Sequence, residues 1–266
     1  MTRIHTTAVI DPTAELADDV SVGAYSVIGA SVKLAAGVKI HAHAVIEDHT
    51  HIGASSEIWP GAVLGGIPQD RKFKGEESYL IIGENNIIRE CVTIHRAAGA
   101  GQVTRVGDDN LIMAYSHIGH NCTIGSGITM ANMAGLSGHV TIEDKVTIGG
   151  FVGIHQFVRI GRLAMLGGYS KVVQDVPPFM MADGRPCDVL DLNIIGLRRG
   201  GVSASTRTDL KQIYKLLYRS NMNVTQALDE IRDTIPVSPE RDLILDFMRN
   251  IPLGYGGRQH DKPRVR

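Results

Sequence analysis

A six-residue repeat of aliphatic side chains runs through most of this chain of 266 residues. It is unbroken from Ile4 to Leu64, returns from Ile82 to Ile94, and runs again from Val106 to Val172. The last stretch has twelve consecutive apolar positions, and with 43% hydrophobic residues chance would produce it roughly a few times in 100,000. Ordinary sandwich strands have a period of two and would not keep this frame.

The repeat predicts the fold class. A short strand and a tight corner every six residues make one face, and three faces complete a triangular coil of about 18 residues. Stacked coils bury a continuous column of aliphatic side chains, each of which contributes ~1.5–3 kcal/mol when fully removed from water. We therefore predict a mainly β protein, a left-handed parallel β-helix of hexapeptide repeats shaped as a triangular prism.

Two polar, glycine-bearing segments at about 65–81 and 95–105 interrupt the repeat, and we expect both to be loops outside the prism. The repeat ends at Val172, shortly before Pro177 and Pro178, which stop strand propagation. The predicted division of the chain is a β-helix domain over 1–176 and a small α-helical C-terminal domain over 177–266.

The C-terminal segment has a helical period. Ser205 is placed to cap a first helix, and two more are predicted at about 225–235 and 239–249. The tail, 254–266, is expected to be loose and basic.

Four basic residues, spaced four apart, follow Ser205 and form one stripe on the first of these helices. A stripe of this kind either docks an acidic partner or is a solvated helix face. The four residues are Arg207, Lys211, Lys215 and Arg219.

The overall balance of charge excludes some partners. Lysine and arginine total 27 against 28 acidic residues, and the net charge of −1 gives no reason to expect nucleic acid or a membrane surface. The cysteines Cys91, Cys122 and Cys187 lack the spacing of a disulfide framework or a zinc site. The N-terminus has no apolar signal core and no stretch is long enough to span a bilayer, so we expect a cytoplasmic protein.

Stacking brings several histidines together. Residues one coil apart lie above one another at ~4.8 Å, so His120 neighbours Gly138, which neighbours Gln156. The same arithmetic places His139 between Asn121 and Phe157, with His117 and His155 at the edges of the patch.

This patch predicts a site for acyl transfer. A histidine can take a proton from a hydroxyl group near neutral pH, because its ordinary pKa is close to 6.5. A glycine leaves its backbone N–H unshielded, which suits it to stabilise an oxyanion. His120 and Gly138 would supply these two parts.

Three other interpretations stay open. The histidines could be surface residues, and the group His41, His43, His49 and His51, which no loop covers, is read as surface or packing. His117, His120 and His139 could instead bind a metal, as in hexapeptide-repeat carbonic anhydrases. The chain could also be a non-catalytic scaffold.

Several segments resemble the UDP-N-acetylglucosamine O-acyltransferases in order over about residues 4–220. These are Gln69-Asp70-Arg71-Lys72 with Gly75-Glu76, Ile88-Arg89-Glu90, Val92-Thr93-Ile94-His95-Arg96, His117-Ile118-Gly119-His120, Gly138-His139, His155-Gln156-Phe157, Gln174-Asp175-Val176-Pro177-Pro178 and Asn193-Ile194-Ile195-Gly196-Leu197-Arg198-Arg199.

The resemblance implies a homotrimer with active sites between prisms, which moves an (R)-3-hydroxyacyl group from acyl carrier protein to the 3-hydroxyl of UDP-N-acetylglucosamine at the start of lipid A synthesis. It implies no metal and no cofactor besides the phosphopantetheine that the carrier protein brings. In its light, the basic stripe becomes a dock for the acidic carrier protein.

The resemblance also assigns residues. His120 is implied as the general base and Gly138 as the oxyanion donor, while Gly168 lies where acyl length is set and predicts a preference for long chains. Substrate contacts are implied for Asp70 and Lys72, which would reach the neighbouring subunit's site, and for His117, His139, His155, Gln156, Asn193 and Arg199.

Three positions depart from the family pattern. Asn121 replaces an aspartate that some relatives have beside the base, Ile195 replaces an acidic contact, and Gly200 replaces a second arginine. N-acylation of a 3-amino analogue of the sugar nucleotide is the alternative within the same class of reaction.

Overall fold

The computed structural model describes residues 3–251, in which short strands form three sheets. The first sheet contains Arg3–Ile4, Ser21–Val22, Lys39–Ile40, Glu57–Ile58, Ile87–Ile88, Leu111–Ile112, Thr129–Met130, Thr147–Ile148, Met165–Leu166, Met180–Gly184 and Cys187–Leu192. The second contains Val9–Ile10, Val27–Ile28, Val45–Ile46, Val63–Gly66, Thr93–His95, His117–Ile118, Gly135–Leu136, Gly153–Ile154 and Lys171–Val172. The third contains Glu15–Leu16, Lys33–Leu34, Thr50–Ile52, Tyr79–Ile82, Val103–Val106, Thr123–Ile124, Thr141–Ile142 and Arg159–Ile160.

The chain visits the three sheets in turn, and strands one coil apart pair in parallel, as Gly135 does with Gly153. The aliphatic residue of each hexad points inward; Ile58, Ile88 and Ile118 are fully buried. This arrangement confirms the predicted left-handed β-helix.

At many corners of the prism the left-handed backbone conformation falls on residues other than glycine, such as Asn121 and His139. Hydrogen bonds between coils hold these residues: the His139 N–H donates to the His120 carbonyl at 2.9 Å, and the Asn121 N–H donates to Thr104 Oγ1 at 2.8 Å. Gly119 is needed because of close approach: a Cβ there would lie 2.9 Å from the backbone nitrogen of Gly138.

Two loops lie at 67–78 and at 96–102, each between a strand of the second sheet and a strand of the third. Both are shorter than the expected interruptions at about 65–81 and 95–105, because the strands that flank them run further. Arg96 anchors one loop to the base of the other through a hydrogen bond to the Gly65 carbonyl.

The C-terminal segment begins with a hairpin that the sequence did not predict. Its first strand, Met180–Gly184, adds to the end of the first sheet, and Cys187–Leu192 pairs with it in antiparallel fashion. Four helices follow within the described residues: α1 (Ile194–Arg199), α2 (Ala204–Tyr218), α3 (Val224–Thr234) and α4 (Pro239–Asn250).

The predicted helices appear with small shifts at their ends, and the short helix α1 was missed. The cap of α2 was also predicted wrongly: Ser203 rather than Ser205 caps it, accepting from the Thr206 N–H at 3.1 Å. The predicted basic tail lies outside the described residues. None of the helices within 3–251 combines the length and the apolar character that spanning a membrane requires.

Candidate active site

A cleft of about 580 Å³ lies on the outer face of the second sheet. Its floor includes Gly135 and Gly153. In each of these two-residue strands the second residue, Leu136 or Ile154, is buried in the prism, so the glycine before it is on the outer face. The cleft is therefore built on one face of the prism, beside the corner that joins the second sheet to the third.

His120 and Gly138 meet at this corner. A Cβ on Gly138 would lie only 2.6 Å from Nε2 of His120, so the ring rests against the glycine backbone. Within residues 3–251 no acceptor takes the Gly138 N–H. The predicted stacking of these residues on adjacent coils is present, and it puts an imidazole nitrogen and a free amide side by side.

Asn121 selects the tautomer of His120. The loop residue Ala98 orients the Asn121 amide, since its N–H donates to Oδ1 at 2.9 Å and its carbonyl accepts from Nδ2 at 3.1 Å. Oδ1 also lies 2.8 Å from Nδ1 of His120. An amide oxygen can only accept, so neutral His120 has its proton on Nδ1 and a lone pair on Nε2, the nitrogen beside Gly138.

His139 and His117 surround this pair as neutral groups. His139 stacks on Phe157 at 4.8 Å between ring centroids and meets His120 edge to face at 5.2 Å. Burial lowers the pKa of His139, as does the charge of His120. Burial is also the larger cause that lowers the pKa of His117, whose Nδ1 lies 2.8 Å from Thr93 Oγ1.

His155 and Gln156 also line the cleft, and both are exposed. His155 Nδ1 lies 3.2 Å from the Gln156 carbonyl oxygen. This part of the predicted patch is free to contact a ligand.

Gln69, His95 and Lys171 have polar side chains that line the cleft, and none of them was predicted as a site residue. His95 was missed because the 96–102 loop lengthens one coil, so that Thr93 pairs with His117 rather than with a residue 18 positions away. Gln69 stands beside Asp70 in the first loop, which was a usable signal.

His95 is the most deeply buried of the cleft histidines. Its ring meets that of His117 at 4.8 Å between centroids. Burial, with smaller contributions from His117 and His120, lowers the pKa of His95 to about 4. The ring is therefore uncharged near neutral pH.

Asp70 and Lys72 lie in the loop at the cleft's edge rather than in its lining. Asp70 Oδ1 accepts from the Lys72 N–H at 2.9 Å. The negative charge of Asp70 raises the pKa of His139 and so offsets part of the lowering that burial causes. The Asp70 carboxylate therefore acts on the site of its own chain from a distance.

Asn193, Arg199 and Gly168 do not join the cleft within one chain. Asn193 caps α1 and donates to the Leu163 carbonyl at 2.9 Å, at the corner between the third and first sheets. Arg199 is exposed in the last turn of α1. Gly168 is exposed at the corner between the first and second sheets, where a Cβ would lie 3.4 Å from the Gly150 carbonyl oxygen.

The proposed metal ligands do not converge. Among the described residues, no three or more histidine, cysteine, aspartate or glutamate side chains are arranged to hold a metal ion. The early histidines make packing contacts, as expected: His41 stacks on Trp59 and lies 2.8 Å from Glu57 Oε1, and His43 stacks on Tyr25.

A left-handed β-helix of hexapeptide repeats with a histidine-lined cleft defines the chain as a hexapeptide-repeat transferase. A family model described as "Bacterial transferase hexapeptide (six repeats)" matches residues 104–138, and one described as "Udp N-acetylglucosamine O-acyltransferase; Domain 2" matches residues 175–255.

Relatives cover most of the chain. The acyl-[acyl-carrier-protein]–UDP-N-acetylglucosamine O-acyltransferase of Synechocystis sp. is 51% identical over 185 residues, which are 70% of this chain and 67% of the relative. Its namesake from Thermodesulfovibrio yellowstonii is 48% identical over 249 residues, 93% of this chain and 96% of the relative. Among solved structures, LpxA, a UDP-N-acetylglucosamine acyltransferase from Bacteroides fragilis, superimposes on this chain with a TM-score of 0.90 and 40% sequence identity. The match covers 92% of this chain and 96% of that one. The chain belongs to the UDP-N-acetylglucosamine O-acyltransferase family.

Proposed function

We propose that this enzyme transfers an (R)-3-hydroxyacyl group from acyl carrier protein to the 3-hydroxyl of UDP-N-acetylglucosamine, the first step of lipid A biosynthesis. The observation that carries the proposal is the close approach of His120 Nε2 to Gly138, where a Cβ would lie only 2.6 Å from that nitrogen, in the cleft of a member of this family. The names of the relatives supply the donor and the acceptor.

The geometry supports a direct transfer. His120 Nε2 takes the proton of the sugar 3-hydroxyl, whose oxygen attacks the thioester carbonyl. The Gly138 N–H donates to the oxyanion that forms. When the tetrahedral intermediate collapses, the C–S bond breaks and the phosphopantetheine sulfur leaves with the proton that His120 had accepted. The donor brings the phosphopantetheine, and no further cofactor enters the scheme.

A complete site requires a second copy of the chain. In a triangular prism, the corner that holds Asn193 and Arg199 is opposite the face that carries the cleft, so these residues can contact the substrate only in a neighbouring copy. The same face also has a column of outward valines N-terminal to the cleft, of which Val9 is 63% and Val27 is 39% exposed. An open apolar surface of this kind indicates a subunit contact, and we propose a homotrimer.

The basic stripe on α2 is proposed as the dock for the acidic carrier protein, although its free charge is smaller than the sequence suggests. Lys211 pairs with Asp191, and Arg219 donates to the Tyr214 hydroxyl at 2.8 Å. Lys215 is exposed. The three free cysteines fit a reducing compartment, and we place the reaction in the cytoplasm.

The deciding experiment is mass spectrometry of the product that the purified enzyme forms from UDP-N-acetylglucosamine and a mixed pool of acylated carrier proteins. We expect one O-linked 3-hydroxyacyl group on the sugar. His120→Ala should lower turnover by at least ~100-fold, while His43→Ala, a histidine outside the cleft, should retain it. Equal activity of both variants would remove the general base from the mechanism.

Two further outcomes would redirect the proposal. Turnover of the 3-amino analogue alone would identify an N-acyltransferase. Stoichiometric zinc in the purified protein that is lost in His117→Ala and His120→Ala would favour a metalloenzyme on the same prism.

A further inference from the structure

Arg96 joins the two loops that lie beside the cleft, the first at 67–78 and the second at 96–102. It binds the start of the first loop twice. Its backbone N–H donates to the Gly66 carbonyl at 3.1 Å, and its Nη1 donates to the Gly65 carbonyl at 3.1 Å. Because a charged donor makes a stronger hydrogen bond than a neutral one, the guanidinium fixes the point at which the first loop leaves the second sheet.

The same guanidinium lies over an aromatic ring of the first loop. The Cζ atom of Arg96 is 5.8 Å from the centroid of the Phe73 ring, which is within the range of a cation–π contact. The Phe73 N–H donates to the Asp70 carbonyl at 3.0 Å and closes a turn that also contains Lys72. Arg96 therefore supports both the start of the first loop and the turn that presents its charged residues.

Folding stability alone does not explain this arginine. The Nε atom of Arg96 is buried and has no hydrogen-bond partner among the described residues, and a buried donor left unpaired costs ~1–3 kcal/mol. A methionine, which is flexible and apolar, would fill similar space without that cost. What Arg96 supplies is therefore the placement of the first loop relative to the second.

The second loop also holds the proposed general base. Ala98 lies two residues after Arg96 and exchanges two hydrogen bonds with the Asn121 amide. Oδ1 of that amide lies 2.8 Å from Nδ1 of His120. Ala97, between the arginine and Ala98, is fully buried, so the three residues form a short link whose ends move together.

We propose that Arg96 is a positioning residue that couples the first loop to the proposed general base. A sugar nucleotide that contacts the first loop fixes Arg96, and Arg96 fixes the second loop. The second loop in turn holds Asn121, which keeps the ring of His120 in the orientation that leaves Nε2 free. Binding of the acceptor and orientation of the base are thereby linked. This inference rests on the proposed function and deepens it.

The test is a double-mutant cycle that measures kcat and the KM for the sugar nucleotide. Arg96→Met removes the charge and both contacts of the guanidinium. We expect kcat to fall by ~10-fold, because a displaced catalytic group costs at least that much, and the KM to rise. In the Asn121→Ala background the same change should lower kcat by ~2-fold or less, because the link to His120 is already broken.

Two further variants complete the design. Arg96→Lys keeps the charge and a donor for the Gly65 carbonyl, so it should recover most of the lost kcat. Arg105→Met is the matched control, because it removes an exposed arginine from the outer face of the third sheet. It should leave kcat and KM at their wild-type values.

Two results would overturn the inference while the proposed function stands. One is an Arg96→Met enzyme with wild-type kcat and KM. The other is an equal loss of kcat in the wild-type and Asn121→Ala backgrounds, which is the result that a purely structural role predicts. A wild-type enzyme that transfers no acyl group to the sugar nucleotide from any carrier protein would instead refute the proposed function itself.

Phe73→Ala keeps the coupling testable if Arg96→Met does not fold. The Phe73 ring is half-buried in the first loop, outside the prism, so the fold should tolerate its loss. Its removal should lower kcat by less than Arg96→Met, and only while Asn121 is present. A wild-type kcat in Phe73→Ala would contradict the coupling.

Discussion

The ring of His120 lies so close to Gly138 that a methyl group there would stand 2.6 Å from Nε2. Gly138 therefore has two roles: it leaves its backbone amide exposed, and it makes room for the imidazole of the neighbouring coil. A side chain at this position would push the ring aside without touching the core.

Gly138→Ala should accordingly lower kcat by ~100-fold, because small displacements of a catalytic group are enough to cost that much. The unfolding temperature should stay close to the wild-type value, since the flexible ring can move away. Thr141→Ala, on the outer face of the third sheet, is the control and should affect neither quantity. Turnover near that of the wild type in a folded Gly138→Ala protein would contradict the proposed geometry.

Asn121→Asp should move the acid limb of the kcat/KM profile to higher pH. A carboxylate at 2.8 Å from Nδ1 favours the imidazolium, so the base is lost at a higher pH than in the wild type. Asn121→Ala should instead lower kcat by ~10-fold or more at all pH values, because it removes the group that orients the ring. An unchanged profile in Asn121→Asp would mean that His120 is not the group that titrates in catalysis.

Stability should fall as the pH drops from about 6.5 towards about 4. The folded-state pKa of His95 is lowered to about 4, so in this window the unfolded chain binds a proton that the folded chain does not. The contribution of His95 to the free energy of unfolding is fully present above its unfolded-state pKa, and it is lost as the pH falls from there towards the folded-state pKa. Urea unfolding at several pH values should show this loss of unfolding free energy. In His95→Gln the loss between about pH 6.5 and 4 should be smaller by about 1–3 kcal/mol per chain. An equally steep slope in His95→Gln would assign the effect to other groups.

Mixing two inactive variants should restore activity if copies share the site. His120→Ala and Arg199→Ala remove groups that lie on opposite sides of one prism, so a mixed oligomer assembles some intact sites. Co-expression in equal amounts should recover about a quarter of the wild-type activity when the copies associate at random. Separately purified variants, mixed without exchange of subunits, are the control. No recovery in verified mixed oligomers would mean that each chain holds a complete site.

Gly168→Met should shift donor preference toward shorter acyl chains. A side chain there has room beside the Gly150 carbonyl, so the fold should tolerate it, and it would occupy the position at which the family resemblance sets acyl length. Comparison of the products from a mixed donor pool measures the shift. An unchanged chain-length distribution would mean that Gly168 does not set acyl length.

The amino-acid sequence alone determined the features that depend on the repeat. A six-residue period is a local property, and it sets both the inward column of Ile58, Ile88 and Ile118 and the stacking of Gly138 under His120. Because each coil contacts mainly its neighbours, counting along the chain was enough to predict which residues share a face.

The tertiary structure decided what the loops and the C-terminal segment do. The extra length at 96–102 changes the register locally and brings His95 into the cleft, and Ala98 of the same loop orients Asn121 and thereby selects the tautomer of His120. Asn193 was expected among the substrate contacts, yet within one chain it caps a helix on the opposite side of the prism. These arrangements depend on contacts between distant segments, which no repeat period encodes.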